Sequence, residues 1–156
     1  MVDRRRRVIR VTFDEDAVAG PDAEHERRVA VFDLLEDNRF ALADHDGGPY
    51  ALHLGIRENR IVLDVRDPDD NRLHEIRLSL TPFRSVIRDY FTVCDSYVEA
   101  IKTASPSRIE ALDMGRRSLH NEGASIMRAR LERRIDLDED TARRLFTLIC
   151  ALHAKV

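Results

Sequence analysis

Residues 50–80 read YALHLGIRENRIVLDVRDPDDNRLHEIRLSL, and this stretch decides the fold. Leu52, Leu54 and Ile56 recur at every second position, and Ile61, Leu63 and Val65 do the same after a short interruption. A period of two puts alternate side chains on one face of a strand. With Glu58-Asn59 as a two-residue hairpin loop, Arg57 stands opposite Arg60, Ile56 opposite Ile61, Leu54 opposite Leu63 and Leu52 opposite Val65. That register makes one face wholly apolar and sets His53 opposite Asp64 on the outer face. Asp67-Pro68-Asp69-Asp70-Asn71 is turn chemistry, and His74, Ile76, Leu78 and Leu80 alternate beyond it. The expected unit is a meander of three antiparallel strands.

Working upstream, Ile9, Val11 and Phe13 alternate with Val8, Arg10 and Thr12, which predicts an N-terminal strand with one buried face. Asp14 to Pro21 reads as a loop. Asp22 is placed to cap a helix whose apolar stripe is Val29, Phe32 and either Leu34 or Leu35, ended by Asp37-Asn38. Downstream, Thr81-Pro82 is an N-cap followed by proline at the first helical position. Phe83, Val86, Ile87, Tyr90, Cys94, Tyr97, Val98 and Ile101 then recur at steps of three and four, the mark of a long amphipathic helix. Ser105-Pro106 repeats the start signal for a helix through Ile109, Leu112 and Leu119, which Gly123 ends or bends, and Ser125 to Arg134 reads as helical too. The last helix starts at Asp138-Glu139-Asp140 and buries Ala142, Leu145, Phe146, Ile149 and Leu152. Strands followed by helices predict an α+β fold: an antiparallel meander sheet, three strands plus the N-terminal strand, covered by the long amphipathic helix and further C-terminal helices. Residues 1–156 read as one domain without linker or repeat.

Composition narrows the function classes. The chain carries 43% hydrophobic and 35% charged residues with a net charge of −3, which argues against a general nucleic-acid binder. Lysine occurs only at Lys102 and Lys155, so arginine supplies nearly all positive charge. Cys94 and Cys150, the only cysteines, sit in apolar helical runs and read as buried free thiols. No apolar run approaches the roughly 20 residues of a membrane span, and Arg4 to Arg7 precede strand residues rather than a signal segment. The expected location is the cytoplasm.

The stretch from Asp113 to Gly123 is the most loaded with chemistry. At about 100° per residue, Asp113, Arg116, Arg117, His120 and Asn121 fall on one helix face roughly 140° wide. Leu112, Gly115, Leu119 and Gly123 fall opposite, where glycines permit close packing. Two guanidinium groups, an imidazole and a carboxylate suit an anionic ligand or the acidic loop of a partner. The same face is also what a solvated helix laced by pairs such as Asp113–Arg117 looks like. Elsewhere the signals are structural. His25 lies between Glu24 and Glu26, not at metal-ligand spacing. His53 and Asp64 read as a surface pair across strands. His74 sits at a core-facing position, His153 near a chain end, and Arg4 to Arg7 in a solvated tail. Phosphate-loop and nucleophile-elbow motifs do not occur.

Several strings together resemble one bacterial family: Glu24-His-Glu-Arg27, Phe32-Asp-Leu-Leu-Glu36, Gly48-Pro-Tyr50, Leu78-Ser-Leu-Thr-Pro-Phe-Arg84, Asp113-Met-Gly-Arg-Arg117, His120-Asn-Glu-Gly123 and Asp140-Thr-Ala-Arg-Arg-Leu-Phe-Thr-Leu-Ile-Cys150. The chain is similar over nearly its whole length to the uncharacterised family UPF0262. That resemblance implies a bacterial cytoplasmic protein and brings no activity, ligand or catalytic residue with it.

The expected function is therefore that of a non-enzymatic interaction or regulatory domain using the Arg-rich helix face, with an unidentified protein as partner. The alternative is a small enzyme or anionic-ligand-binding protein whose pocket gathers Arg116, Arg117, His120 and Glu122 with groups from the sheet edge or His25. No catalytic residue, metal ligand or cofactor is assigned. A nucleic-acid surface would require Arg4 to Arg7 to meet Arg128, Arg130, Arg133 and Arg134.

Overall fold

The computed structural model describes residues 4–14 and 21–153, with no side-chain description for 21–23 and 153. The elements run β1 (Val8–Phe13), α1 (Pro21–Glu36), β2 (Phe40–Leu42), β3 (Tyr50–Arg57), β4 (Arg60–Arg66), β5 (Arg72–Ser79), α2 (Thr81–Thr103), α3 (Pro106–Leu131), β6 (Ile135–Leu137) and α4 (Glu139–His153). The loop expected before Pro21, the side chain of Asp22 and that of His153 lie outside the described residues.

The meander forms in the expected register, from Leu52 opposite Val65 to Arg57 opposite Arg60. Glu58 and Asn59 both take positive φ, 51° and 62°, as a tight hairpin turn whose twist matches the strands demands. Asp67 closes the second turn by accepting the N–H groups of Asp69 and Asn71, both at 2.9 Å. The sheet order is β1-β3-β4-β5, with β1 parallel to β3. Two outer strands carry bulges. On β1, Val8 pairs with Tyr50 and Arg10 with Ala51, so Ile9 is the extra residue. The expected alternation of β1 therefore changes phase: Val8 is buried, Ile9 is exposed, and Val11 and Phe13 pack against the core. On β5, Arg72 pairs with Arg66 and His74 with Val65, which skips Leu73. His74 is exposed at this outer strand, whereas Leu73 packs on the core.

The apolar sheet face is covered by helices. Phe83, Val86 and Ile87 from the first turns of α2, and Leu145, Phe146, Leu148 and Ile149 from α4, share one core with Leu52, Leu54, Ile61, Leu63 and Val65. α4 is buried on nearly every side and packs against α1, α3 and β3. It starts where Asp138 accepts the N–H of Thr141 at 2.9 Å. Val98 and Ile101, expected in the buried stripe of α2, are 56% and 54% exposed. A helix of 23 residues spans about 35 Å and a strand of eight about 27 Å. The far half of α2 thus outruns the sheet and packs along α3 instead, with Ala100 as its buried residue. Thr81 lies inside this helix, whose N-cap is Leu80 without a side-chain bond. Ser105 does cap α3, accepting the N–H of Arg108 at 3.3 Å.

α1 buries the face of Arg27, Ala30 and Leu34, not that of Val29 and Phe32, which are 47% and 64% exposed. Its end is tied to β1 by Asn38, whose amide donates to the Leu34 and Val8 carbonyls and accepts the Val8 N–H. Gly123 neither ends nor bends α3, which runs to Leu131 as a single helix. A Cβ there would stand 2.1 Å from Cζ of Phe146, so the glycine is where α4 lies on the α3 backbone. Two short strands were not expected: β2 and β6 pair antiparallel, Phe40 with Leu137 and Leu42 with Ile135. The arginines before β1 are tied down rather than loose. The Arg6 side chain meets Asp136 at 3.1 Å, and backbone N–H groups of Phe40 and Tyr50 donate to the Arg6 and Arg7 carbonyls. Among the described residues no helix is long and apolar enough to cross a membrane.

Candidate functional site

His53 and Asp64 face each other in register yet do not bond. His53 instead joins Thr12 Oγ1 at 2.7 Å through Nδ1 and Asp14 Oδ1 at 2.8 Å through Nε2. Asp14 also pairs with Arg57 at 3.0 Å. This chain clasps the end of β1 to β3, and Gly55 leaves the room for it, since a Cβ there would meet Asp14 Oδ2 at 2.0 Å. Asp64 turns to Arg66 and Arg72. The expected surface pair is replaced by two separate networks.

The face from Asp113 to Asn121 is split by the packing of α2, α3 and α4. Asp113 reaches both neighbouring guanidinium groups, Arg116 at 2.5 Å and Arg117 at 2.9 Å. The Arg116 bond, then the other nearby positive charge, holds the Asp113 carboxyl below the usual range, and the same bond raises Arg116. Arg117 and Asn121 are exposed, whereas Arg116 and His120 turn inward. Arg116 lies over the Tyr97 ring, 5.4 Å from its centroid. His120 packs between two rings, with centroids 5.7 Å from Tyr90 and 5.6 Å from Phe146.

Burial pushes the His120 imidazole below its ordinary pKa, and the positive charges of Arg143 and Arg116 push it further. Its tautomer follows from the hydrogen bonds. The Thr147 hydroxyl donates to the Arg143 carbonyl at 3.0 Å, so its oxygen is left to accept. His120 Nε2, 2.6 Å away, is therefore the protonated nitrogen, and Nδ1 keeps its lone pair. The sign of the stability effect is fixed by these causes. A histidine held neutral in the fold contributes stability that is complete above the unfolded value of about 6.5 and is lost as pH falls below it. The melting temperature of the wild type is expected to fall more steeply between about pH 7 and pH 5 than that of His120→Gln. Equal slopes in a thermal scan would refute this.

These side chains surround an open concavity of about 480 Å³, lined by Arg116, Arg117, His120 and Asn121 from α3, Tyr90 from α2, and Arg143 and Thr147 from α4. Glu122 points away from it and is exposed, and His25 and the sheet edge do not line it. Asp113 stands behind the arginines as their anchor. Arg143 is the third guanidinium, paired outward with Glu139 at 3.2 Å and Asp140 at 3.5 Å. The buried Nε atoms of Arg116 and Arg143 have no hydrogen-bond partner among the described residues. Arg143 and Thr147 escaped the sequence reading because they reach the site from another helix. Their one visible signal is that Thr147 stands one turn after Arg143 in the apolar second half of the helix.

The family profile described as Uncharacterised protein family (UPF0262) matches residues 5–155. The chain belongs to this family. A UPF0262 protein of Hyphomonas neptunium is 56% identical over 150 residues, covering 95% of this chain and 93% of its own. UPF0262 proteins of Phenylobacterium zucineum and Azorhizobium caulinodans are 55% and 53% identical, each covering 96% of this chain and 94% of their own. No solved structure matches the chain. UPF0262 carries no established function.

Proposed function

We propose that this protein is a non-enzymatic binding protein that takes a small anion, a phosphate or carboxylate group, between α2, α3 and α4. The observation that carries this reading is the inward turn of Arg116 and His120 toward Arg143 at one concavity. A face that served only as a docking surface for a protein would leave these groups pointing outward. Charge balance does not argue against an anion. The carboxylates now holding the arginines do so at or near the surface, where such pairs are worth about 0–1 kcal/mol each, so a ligand can displace them. Arginine suits the task because its planar fork offers paired donors to phosphate or carboxylate oxygens. The Thr147 hydroxyl at the hollow gives its proton to the Arg143 carbonyl rather than to His120, which favours binding over chemistry.

The free thiols Cys94 and Cys150 are consistent with a cytoplasmic setting, and burial raises both above their ordinary pKa. One core running from Val8 to Leu152 supports reading residues 1–156 as one domain. Thermal-shift titration with inorganic phosphate and small carboxylates tests the proposal, because a ligand of the native state raises the melting temperature. The wild type is expected to shift upward by a few degrees at millimolar anion and the double variant Arg116→Ala, Arg143→Ala not at all. An unshifted wild type, or an equal shift in the variant, would overturn it.

A further inference from the structure

The anion concavity does not stand alone. Tyr90 and Thr147 form a wall shared with a second hollow of about 420 Å³, a groove between α1 and α2 floored by α4. Its lining is mainly apolar: Val29 and Ala30 from α1, Phe91, Cys94 and Val98 from α2, and Cys150 from the floor. Both side walls are helices whose apolar flank was left without cover. Val29 is 47% exposed and Val98 56%, and each is followed one helical step later by another exposed apolar residue, Phe32 at 64% and Ile101 at 54%. The exposure follows from two features of the fold: α1 buries Arg27, Ala30 and Leu34 instead, and α2 outruns the sheet. Val29 and Val98 thus put exposed apolar surface on both walls of the groove, and Phe32 and Ile101 continue the same helix flanks beyond it; exposed apolar patches of this kind mark interaction sites.

The chemistry along this channel is graded. At one end lie Arg116, Arg117, Arg143 and His120. The other hollow is mainly apolar, and its lining also carries the carboxylates of Glu26, Asp33 and Asp95 and the imidazole of His25. Those carboxylates repel an anionic group from the groove and favour it at the arginine end. Burial raises the thiols of Cys94 on the α2 wall and Cys150 on the floor, and Tyr90 beside them is pushed up to about 12 by burial and by Cys94. Tyr90 and Thr147, which line both hollows where they adjoin, therefore put no charge between the arginine end and the groove at neutral pH. Each hollow falls within the roughly 300–1,000 Å³ of small-molecule sites.

We infer that the ligand is a single-chain amphiphile, with its anionic phosphate or carboxylate head among the arginines and its alkyl or acyl chain in the groove between α1 and α2. This rests on the anion reading for its head and adds the tail. A fully buried methylene is worth about fourfold in affinity, and a chain half open to water about twofold per methylene. Seven added methylenes thus bring about a hundredfold.

Isothermal titration of the full chain with methyl phosphate, octyl phosphate and octanol, all below micelle formation, separates the parts. Octyl phosphate is expected to bind one to one and about a hundredfold more tightly than methyl phosphate or octanol. Val29→Asn with Val98→Asn changes two exposed positions without adding charge, so folding and the charge around the arginines are preserved. It should bring octyl phosphate down toward methyl phosphate while leaving methyl phosphate binding unchanged. Arg116→Ala with Arg143→Ala should weaken both phosphates. Equal affinity for octyl and methyl phosphate would overturn the tail site and leave the anion reading standing. Equal affinity for octyl phosphate and octanol would overturn the anion reading and, with it, the two-part site. A groove covered by a second copy of the chain would show as a dimer that Val29→Asn with Val98→Asn converts to monomer, with no gain from the octyl chain, and that too would overturn the inference.

Discussion

Phe146→Ala is expected to cost about 4 kcal/mol, the largest loss from any single side chain near the site. Phe146 has no exposed surface and makes an edge contact with Tyr90, with centroids 6.2 Å apart, and another with His120. Its ring also lies on the backbone of α3 at Gly123. Truncation leaves a cavity where α2, α3 and α4 meet, and α4 cannot settle into it without leaving β3 and α1. Against a total stability of about 5–15 kcal/mol, such a loss approaches unfolding. Gly123 gives the complementary test. Alanine gains about 1 kcal/mol of helix propensity over glycine, but its methyl would overlap a fully buried ring, and overpacking costs about 1–3 kcal/mol or somewhat more. Clash wins, so Gly123→Ala should destabilise by about 2 kcal/mol. In urea denaturation the double variant Gly123→Ala, Phe146→Ala should be less damaged than the sum of the singles, because the methyl enters the vacated space. A stabilised Gly123→Ala would contradict the contact.

Asp64→Ala should lower stability by about 2–3 kcal/mol. Its carboxylate, 1% exposed on the outer sheet face, accepts four bonds. Arg66 gives Nε and Nη2 to Oδ2 at 3.0 and 2.8 Å, and Arg72 gives Nε to Oδ1 at 2.9 Å and Nη2 to Oδ2 at 3.2 Å. A fully buried pair broken on one side costs about 3–5 kcal/mol. The lower figure applies because both arginines reach water, Arg72 with 59% of its side chain exposed. Burial alone would raise the Asp64 carboxyl, but the Arg72 and Arg66 hydrogen bonds outweigh it and hold the group below its ordinary pKa. A depressed carboxyl contributes stability above the unfolded value of about 3.9 that is lost as pH falls through the folded one. Wild type should therefore lose its advantage over Asp64→Asn below about pH 4, as measured by urea midpoints across pH. A gap that persists unchanged at about pH 2 would sink the assignment.

The meander was legible because two independent signals agreed. Core residues recur at every second position within Leu52–Ile56, Ile61–Val65 and Ile76–Leu80, and Glu58-Asn59 fits the tight turn that their register needs. α1 misled for the opposite reason. Val29, Ala30, Val31, Phe32, Leu34 and Leu35 are apolar nearly all round, so periodicity does not choose a face and tertiary packing does. β2 and β6 have three residues each, too few to display a period, and they pair across more than ninety positions of chain. The site divides along the same line. Asp113, Arg116, Arg117 and His120 could be gathered by angle because they share a helix. Tyr90, Arg143 and Thr147 come from other helices, and only packing brings them there. Glu122 was grouped by nearness in sequence, which a helix overrides by turning it some 200° from His120.

The kinks at Ile9 and Leu73 sit on the two outermost strands of the four-stranded sheet. A foreign strand offered to either margin would find its ladder of amide contacts broken partway along, beside the guanidinium groups of Arg10 or Arg72. The sheet is thus finished at four strands, and crowded copies of the molecule are discouraged from zipping edge to edge into fibrils.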